Sequence, residues 1–465
     1  MADGSTRGLL LAARSKLDIS WLGAEGSCAG EKPMSSRRKF IRDAGLATIA
    51  APLIIPGSAL GRGGAMPPSD RISMACIGLG WMGYDGHLTE FLKLKDVRIV
   101  AVCDLDEGHL TRGKGFVDTE YGDQGCAAYH AFEEVLMRRD VDAVSIALPD
   151  HWHGVVATQA ARAKKDIYCE KPLAHNFREG LAMVEESERQ GRVWQTGSWQ
   201  RSVENFRHAC ELVRNGRIGK VKAIEVGLPS GFYEVKDKSK LEITDPPPTL
   251  HYDRWLGPAA ELPYREACVH INWRWNLNYG GGQLMDWIGH HVDIAHWGMG
   301  WDANGPVSVE GVGEYPPRTD PFNAATRYKV HAVYPDGTPM TIAGGYDEIK
   351  SGTKWIGDKG WVWVDRGKID AEPKSLLTEQ IGESETKLKV SPGHYREFID
   401  CVRTREKTLT PARVALHSAT PGWLGQIAML TGRKIRWDPD KMEIVGDNDA
   451  AKQLGRQMRA PYRLG

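Results

Sequence analysis

The sequence predicts an α/β protein that opens on a parallel sheet and continues into a second group of strands. Three observations predict it. A glycine fingerprint follows an apolar run at residues 72–77. Strand and helix signals then alternate to about residue 170, and strand-like stretches joined by tight turns recur beyond residue 220. At 465 residues the chain exceeds what one core holds, so two domains are expected.

In chain order, residues 1–33 are expected to be a disordered extension and 34–69 an export signal with its linker. Ser36-Arg37-Arg38-Lys39-Phe40-Ile41-Arg42 matches the twin-arginine signature, an apolar stretch runs from Ala44 to Ile55, and Gly57-Ser58-Ala59 suits cleavage near Ala59. Pro52 and Pro56 interrupt that stretch, which is too short to span a bilayer. A periplasmic location is expected. This route carries folded proteins, so a dinucleotide held tightly from the cytoplasm onward is expected too.

Ile72 to Ile77 reads as a strand buried in a parallel sheet. Gly78-Leu79-Gly80-Trp81-Met82-Gly83 is the GxGxxG fingerprint of a dinucleotide-binding Rossmann unit. Its first glycine permits a tight turn, its second lets backbone approach the pyrophosphate, and its third allows close helix–strand packing. A second strand, Arg98 to Cys103, ends in Asp104, an acid placed to accept hydrogen bonds from the adenosine ribose. Leu105 and Asp106 follow rather than Arg or Lys, so NAD is expected over NADP. A further strand, Ala143 to Leu148, leads into Pro149-Asp150-His151-Trp152-His153. Ile167 to Cys169 leads into Glu170-Lys171-Pro172. Ligands bind beyond the carboxyl ends of such strands, which puts Met82, Trp81, Pro149, His153, Glu170 and Lys171 on the cofactor side.

The totals exclude several classes. Sixty basic and sixty acidic residues give a net charge of +0, with no excess to drive nucleic-acid binding. The eight cysteines are scattered without a CxxC pair, so neither a disulfide framework nor a structural zinc site is expected. Sixteen tryptophans suit sugar faces, and equally suit a core.

Beyond residue 200, strand signals fall at Val221–Gly227, Val307–Val312, Arg327–Tyr334 and Met340–Tyr346, with a turn at Pro335 to Thr338. A second hairpin joins Lys354–Gly357 to Trp361–Val364. Helical signals follow at about 393–403 and 411–431. Asp286 and His290, four apart, share a face on a helix, where a carboxylate can orient an imidazole as a general base. The doubled histidine leaves His291 as an alternative. The steps His290–Asp293–His296 also fit ordinary helix periodicity, and no metal site is expected.

GLGWMG, the acid ending the second strand, PDHWH, CEKPLA and the segment Gly280 to Asp293 (GGGQLMDWIGHHVD) together resemble the Gfo/Idh/MocA family, over roughly residues 70–440. The resemblance implies an NAD-binding Rossmann domain, residues 70–195. It also implies a substrate and oligomerisation domain, residues 196–440, with a large open, mostly antiparallel sheet; a tail is expected over 441–465. It implies hydride transfer at a secondary alcohol of a sugar, polyol or glycoside, with Lys171, Asp286 and His290 around the substrate carbinol. A redox-neutral glycosidase or lyase of the same family is the alternative; it needs a further base, for which His153, His291 and Tyr279 are candidates. Trp152, Trp199, His270, Arg274, Tyr279 and His291 are candidate substrate contacts. A homodimer or tetramer is expected, and the segment from about 436 onward is expected to lie across the surface or a neighbouring subunit.

Overall fold

The computed structural model describes Pro67 and residues 70–464. The twin-arginine run and the expected extension lie outside the described residues.

The first sheet holds β1 (Ile72–Ile77), β2 (Val97–Cys103), β3 (Ala127–Tyr129), β4 (Ala143–Ile146), β5 (Asp166–Cys169) and β6 (Trp194–Thr196). Their order is β3-β2-β1-β4-β5-β6, and every pair is parallel. All four residues of β4 and of β5 are buried, as a parallel sheet covered on both faces requires. Strand order reverses between β1 and β4, which opens a crevice at their carboxyl ends.

The second sheet has nine strands in the order β13-β12-β11-β7-β10-β9-β8-β14-β15. These are β7 (Val221–Leu228), β8 (Ser308–Glu314), β9 (Arg327–Val333), β10 (Pro339–Gly344), β11 (Gly352–Gly357), β12 (Trp361–Asp365), β13 (Lys368–Glu372), β14 (Ile435–Asp438) and β15 (Glu443–Ile444). β7 and β10 pair in parallel with Met340 opposite Ile224; the other ladders are antiparallel. Alternation decides the buried face: along β9, Tyr328, Val330 and Ala332 point inward. The helix Ala412–Thr431 lies against β8 and the helix Phe177–Arg189, so one apolar core reaches from the first sheet to the second.

The helical segment that follows residue 281 is not uniform. An α-helix, Gly282–Trp287, widens into a π-helical turn, Ile288–Val292, and resumes as α over Asp293–Met299. The wider turn shifts the phase of every residue after Trp287.

Beyond residue 431 the chain first completes the second sheet. Ile435 and Trp437 are buried alternately, and β14 pairs with β8 at the edge of the second sheet. Further on, Arg456 donates from Nε to Glu179 and from Nη2 to the His151 carbonyl, tying the end of the chain back to the first domain. The seven described cysteines are all free and buried, Cys76 and Cys103 within the apolar strands β1 and β2. Among the described residues, no helix is long and apolar enough to cross a membrane.

Candidate active site

A cavity of about 840 Å³ opens at the carboxyl ends of β1, β2, β4 and β5 and reaches the helix carrying Asp286 and His290. One end is built by the glycine loop. Gly78 has φ +88°, and a Cβ there would lie 2.3 Å from the Ala147 carbonyl oxygen. A Cβ on Gly83 would lie 2.0 Å from the Gly78 carbonyl oxygen, so the third glycine lets the helix close onto the loop without itself lining the cavity. At Gly80 a Cβ would meet nothing within 4 Å, because the backbone faces open space. Trp81, 62 % exposed, and Met82 stand at the rim.

Asp104 caps β2 at the same end. Its Oδ2 accepts from the Leu79 amide at 2.6 Å and its Oδ1 from the Asp106 amide at 2.8 Å. A hydrogen bond to Asp104 raises the His109 imidazole above its ordinary value. Arg112 donates to the Leu79 carbonyl and lies over the Tyr84 ring. The fold thus brings two basic side chains from the following helix to this end, a feature outside the reach of the local run Asp104-Leu105-Asp106.

The other end holds the polar cluster. Lys171 Nζ donates to Asp286 Oδ1 at 3.0 Å and to the Asp286 carbonyl at 2.9 Å. Arg274 Nε donates to the same Oδ1 at 2.8 Å, and its guanidinium lies over Trp273. Burial would raise the Asp286 carboxyl, but the charges and hydrogen bonds of Lys171 and Arg274 hold it well below the usual carboxylate range. A Cβ on Gly289 would lie 2.9 Å from Lys171 Cβ, so a glycine at that point of the π turn lets the lysine pass.

The expected Asp286–His290 pairing is corrected here. Asp286 turns to Lys171 and Arg274, and the Nδ1 of His290 is buried without a hydrogen-bond partner. The four-residue spacing aligns two side chains only on a regular α-helix; here the helix widens between them. His290 packs edge-on against Trp199 and Trp287 instead. Burial, then the charges of Lys171 and Arg366, push its imidazole well below the ordinary histidine value, which leaves it neutral at pH 7.

Most of the residues singled out from the sequence meet at this cavity. Pro149, Trp152, Glu170 and Lys171 line it from the first domain; Trp199, His270, Arg274, Asp286 and His290 line it from the second. Glu170 is buried, with Oε1 3.0 Å from His87 Nε2. Besides Gly83, three residues stand apart. His153 is buried between the carbonyls of Leu148 and Pro172, bracing the turn that carries Lys171. Tyr279 is buried beside Trp255 and His151. His291 points away from the cavity, its Nε2 3.4 Å from Asp365 and its carbonyl accepting from Thr353. The π turn therefore separates the doubled histidines, one to each side.

Trp275, beside Arg274 in a run of rings and hydrogen-bond donors, lines the cavity too; Arg366, Trp287 and Gln283 also line it, and the sequence reading did not single them out. Trp287 adjoins Asp286, a local signal. Arg366 sits in the turn between β12 and β13, and no local signal points to it. Asp293 and His296 are taken by protein partners: Asp293 by Arg201 at 2.7 Å, His296 by the Tyr334 hydroxyl at 2.6 Å. Among the described residues, no group of three or more metal-ligating side chains converges.

Comparison with known proteins decides the lineage. The family model described as "Oxidoreductase family, NAD-binding Rossmann fold" matches residues 72–198, and that described as "Oxidoreductase family, C-terminal alpha/beta domain" matches 202–464. The chain belongs to the Gfo/Idh/MocA oxidoreductase family. Within that family it is 25 % identical to a myo-inositol 2-dehydrogenase of Thermotoga maritima over 313 residues, 66 % of this chain and 78 % of that one. It is 34 % identical over 127 residues to a glycosyl hydrolase family 109 protein of Shewanella sp. (strain ANA-3), 26 % of this chain and 27 % of the relative. Its fold is similar to that of the aldose–aldose oxidoreductase of Caulobacter crescentus, at TM-score 0.57 and 20 % identity, over 79 % of this chain and 99 % of that one. The WlbA dehydrogenase of Bordetella pertussis, solved with NADH and UDP-GlcNAcA, is similar at TM-score 0.57 and 19 % identity, with the same coverage.

Proposed function

We propose that this Gfo/Idh/MocA protein oxidises or reduces a secondary alcohol of a sugar, polyol or glycoside with a tightly held NAD. The observation that carries the reading is the continuity of one cavity from the glycine loop to Lys171, Asp286 and His290. The residues present fit a dinucleotide: the backbone at Gly80 leaves a cradle that any side chain would fill. Asp104 offers ribose hydroxyls a carboxylate and would repel a 2′-phosphate, which supports NAD over NADP. Bound there, NAD supplies the acceptor for the two electrons and hydrogen leaving the carbinol carbon.

The chain's own residues handle the proton. His290, neutral and with Nδ1 buried, accepts the hydroxyl proton at Nε2. Lys171, fixed by two hydrogen bonds to Asp286, sets a positive charge beside the oxygen as it becomes an alkoxide. Asp286 orients Lys171 and Arg274 rather than the imidazole.

The redox-neutral alternative needs a further base at the elimination site. His153, His291 and Tyr279 are buried outside the cavity lining, which favours the plain oxidoreductase. The Ser36–Arg42 run supports export with the dinucleotide already loaded. Native mass spectrometry of protein purified from the periplasmic fraction, followed by denaturation, tests this. Near-stoichiometric NAD or NADH is expected; empty protein that binds NAD weakly would overturn the carried-cofactor reading.

A further inference from the structure

The cluster at the substrate end contains one cation that, among the described residues, has no direct ion-pair partner. Lys171 and Arg274 share the carboxylate of Asp286. Arg366 lies over two indoles, 5.0 Å from the ring centre of Trp199 and 4.5 Å from that of Trp287. Its neighbour Asp365 accepts from the Arg366 backbone amide at 2.7 Å, stands 3.4 Å from His291 and accepts from Ser351, without an ion pair to the guanidinium. Among the described residues no carboxylate stands within ion-pairing distance of the Arg366 guanidinium. Both indoles also flank His290, which places Arg366 at the base end of the cavity rather than at the glycine loop.

A guanidinium laid on aromatic rings keeps its N–H edge free in a fixed plane, the geometry that matches a carboxylate. Lys171, Arg274 and Arg366 outnumber Asp286 and Glu170, the latter already paired with His87, so this end of the cavity is attractive to an anion.

We propose that the substrate is an acidic sugar, a uronate or related sugar acid, whose carboxylate is read by Arg366 between Trp199 and Trp287. This rests on the proposed sugar or polyol substrate and narrows it. Arg366 is a specificity-determining residue, and the depressed imidazole of His290 fits the same picture, because Arg366 contributes to that depression.

The test measures binding to the dinucleotide-loaded protein by calorimetry, with the methyl glycosides of glucuronate and galacturonate against those of glucose and galactose. A charged hydrogen bond contributes enough to favour the acid by roughly tenfold to a hundredfold. In Arg366→Gln the ratio of acid to neutral affinity should collapse toward one. In Arg366→Lys, which keeps the charge and loses the planar fork, it should fall to an intermediate value. Arg366 is an exposed turn residue, so both variants should fold, as their dinucleotide content would report. A ratio near one in the native protein, or a ratio unchanged by Arg366→Gln, overturns the inference. Selective, Arg366-dependent binding without turnover would instead keep the inference and sink the oxidoreductase reading.

Discussion

Asp286 Oδ1 accepts from Lys171 Nζ at 3.0 Å and from Arg274 Nε at 2.8 Å, so a single carboxylate oxygen holds the two cations that face the reacting end of the cavity. Removing one partner of such a buried pair leaves the other charges uncompensated. Asp286→Asn should lose about 3 kcal/mol of stability, read by chemical denaturation. Asp286 raises the His290 imidazole, so the same variant should push the acid limb of activity lower still. A limb that moved upward would contradict this division of roles.

The pH profile follows from His290. In the proposed mechanism its neutral form is the base, and its pKa in the folded protein is depressed, first by burial and then by the charges of Lys171, Arg366 and His291. Activity is therefore retained through ~6.5, where an ordinary histidine titrates, and is lost only as the pH falls through the depressed value. Initial rates across pH 4 to 8 check it. Arg366→Gln removes one depressing charge and should move the limb up; a native limb at or above the ordinary histidine value would refute the assignment.

The glycine loop separates binding from folding. Gly80 faces open space, so Gly80→Leu should abolish dinucleotide binding while keeping the thermal midpoint of the dinucleotide-free native protein. Gly83 meets the Gly78 carbonyl, so Gly83→Ala should displace the loop and lower the midpoint as well. Thermal scans with and without added NAD would distinguish the two. Equal effects on both quantities would mean that the loop's glycines serve packing alone.

Asp293 lies three residues beyond His290 and serves the fold. Arg201, fully buried, donates from Nε to Asp293 Oδ2 at 2.7 Å, and from Nη2 to Asp293 Oδ1 and to Asp302 Oδ1, each at 2.9 Å. Asp293→Asn should cost about 3 kcal/mol of stability. A loss below ~1 kcal/mol would indicate that Asp302 alone satisfies Arg201.

What the sequence disclosed was what local spacing encodes. The turn at Gly78–Gly83 and the acid at Asp104 follow from backbone and strand geometry within one βα unit, so both were legible. Asp286 and His290 were legible as a pair, yet their hydrogen bonding was not, because the four-residue rule assumes a helix that the π turn interrupts. The same turn settles which of His290 and His291 faces the cavity, a choice that helix periodicity leaves open. Arg366 reaches the site from a hairpin turn, and only the packing of the second sheet brings it there. β14 was missed although Ile435 and Trp437 alternate with polar residues, since a four-residue strand gives too short a pattern.

The proposed mechanism turns on His290 taking the proton as a sugar or polyol carbinol is oxidised. Single-turnover reduction of the bound dinucleotide, followed by absorbance in the native protein and in His290→Ala, tests it most directly. Stoichiometric reduction is expected in the native protein and a rate lower by about 10²- to 10⁴-fold in the variant, with the dinucleotide still bound. No reduction by any sugar, sugar acid or polyol, or an undiminished rate in His290→Ala, would contradict it.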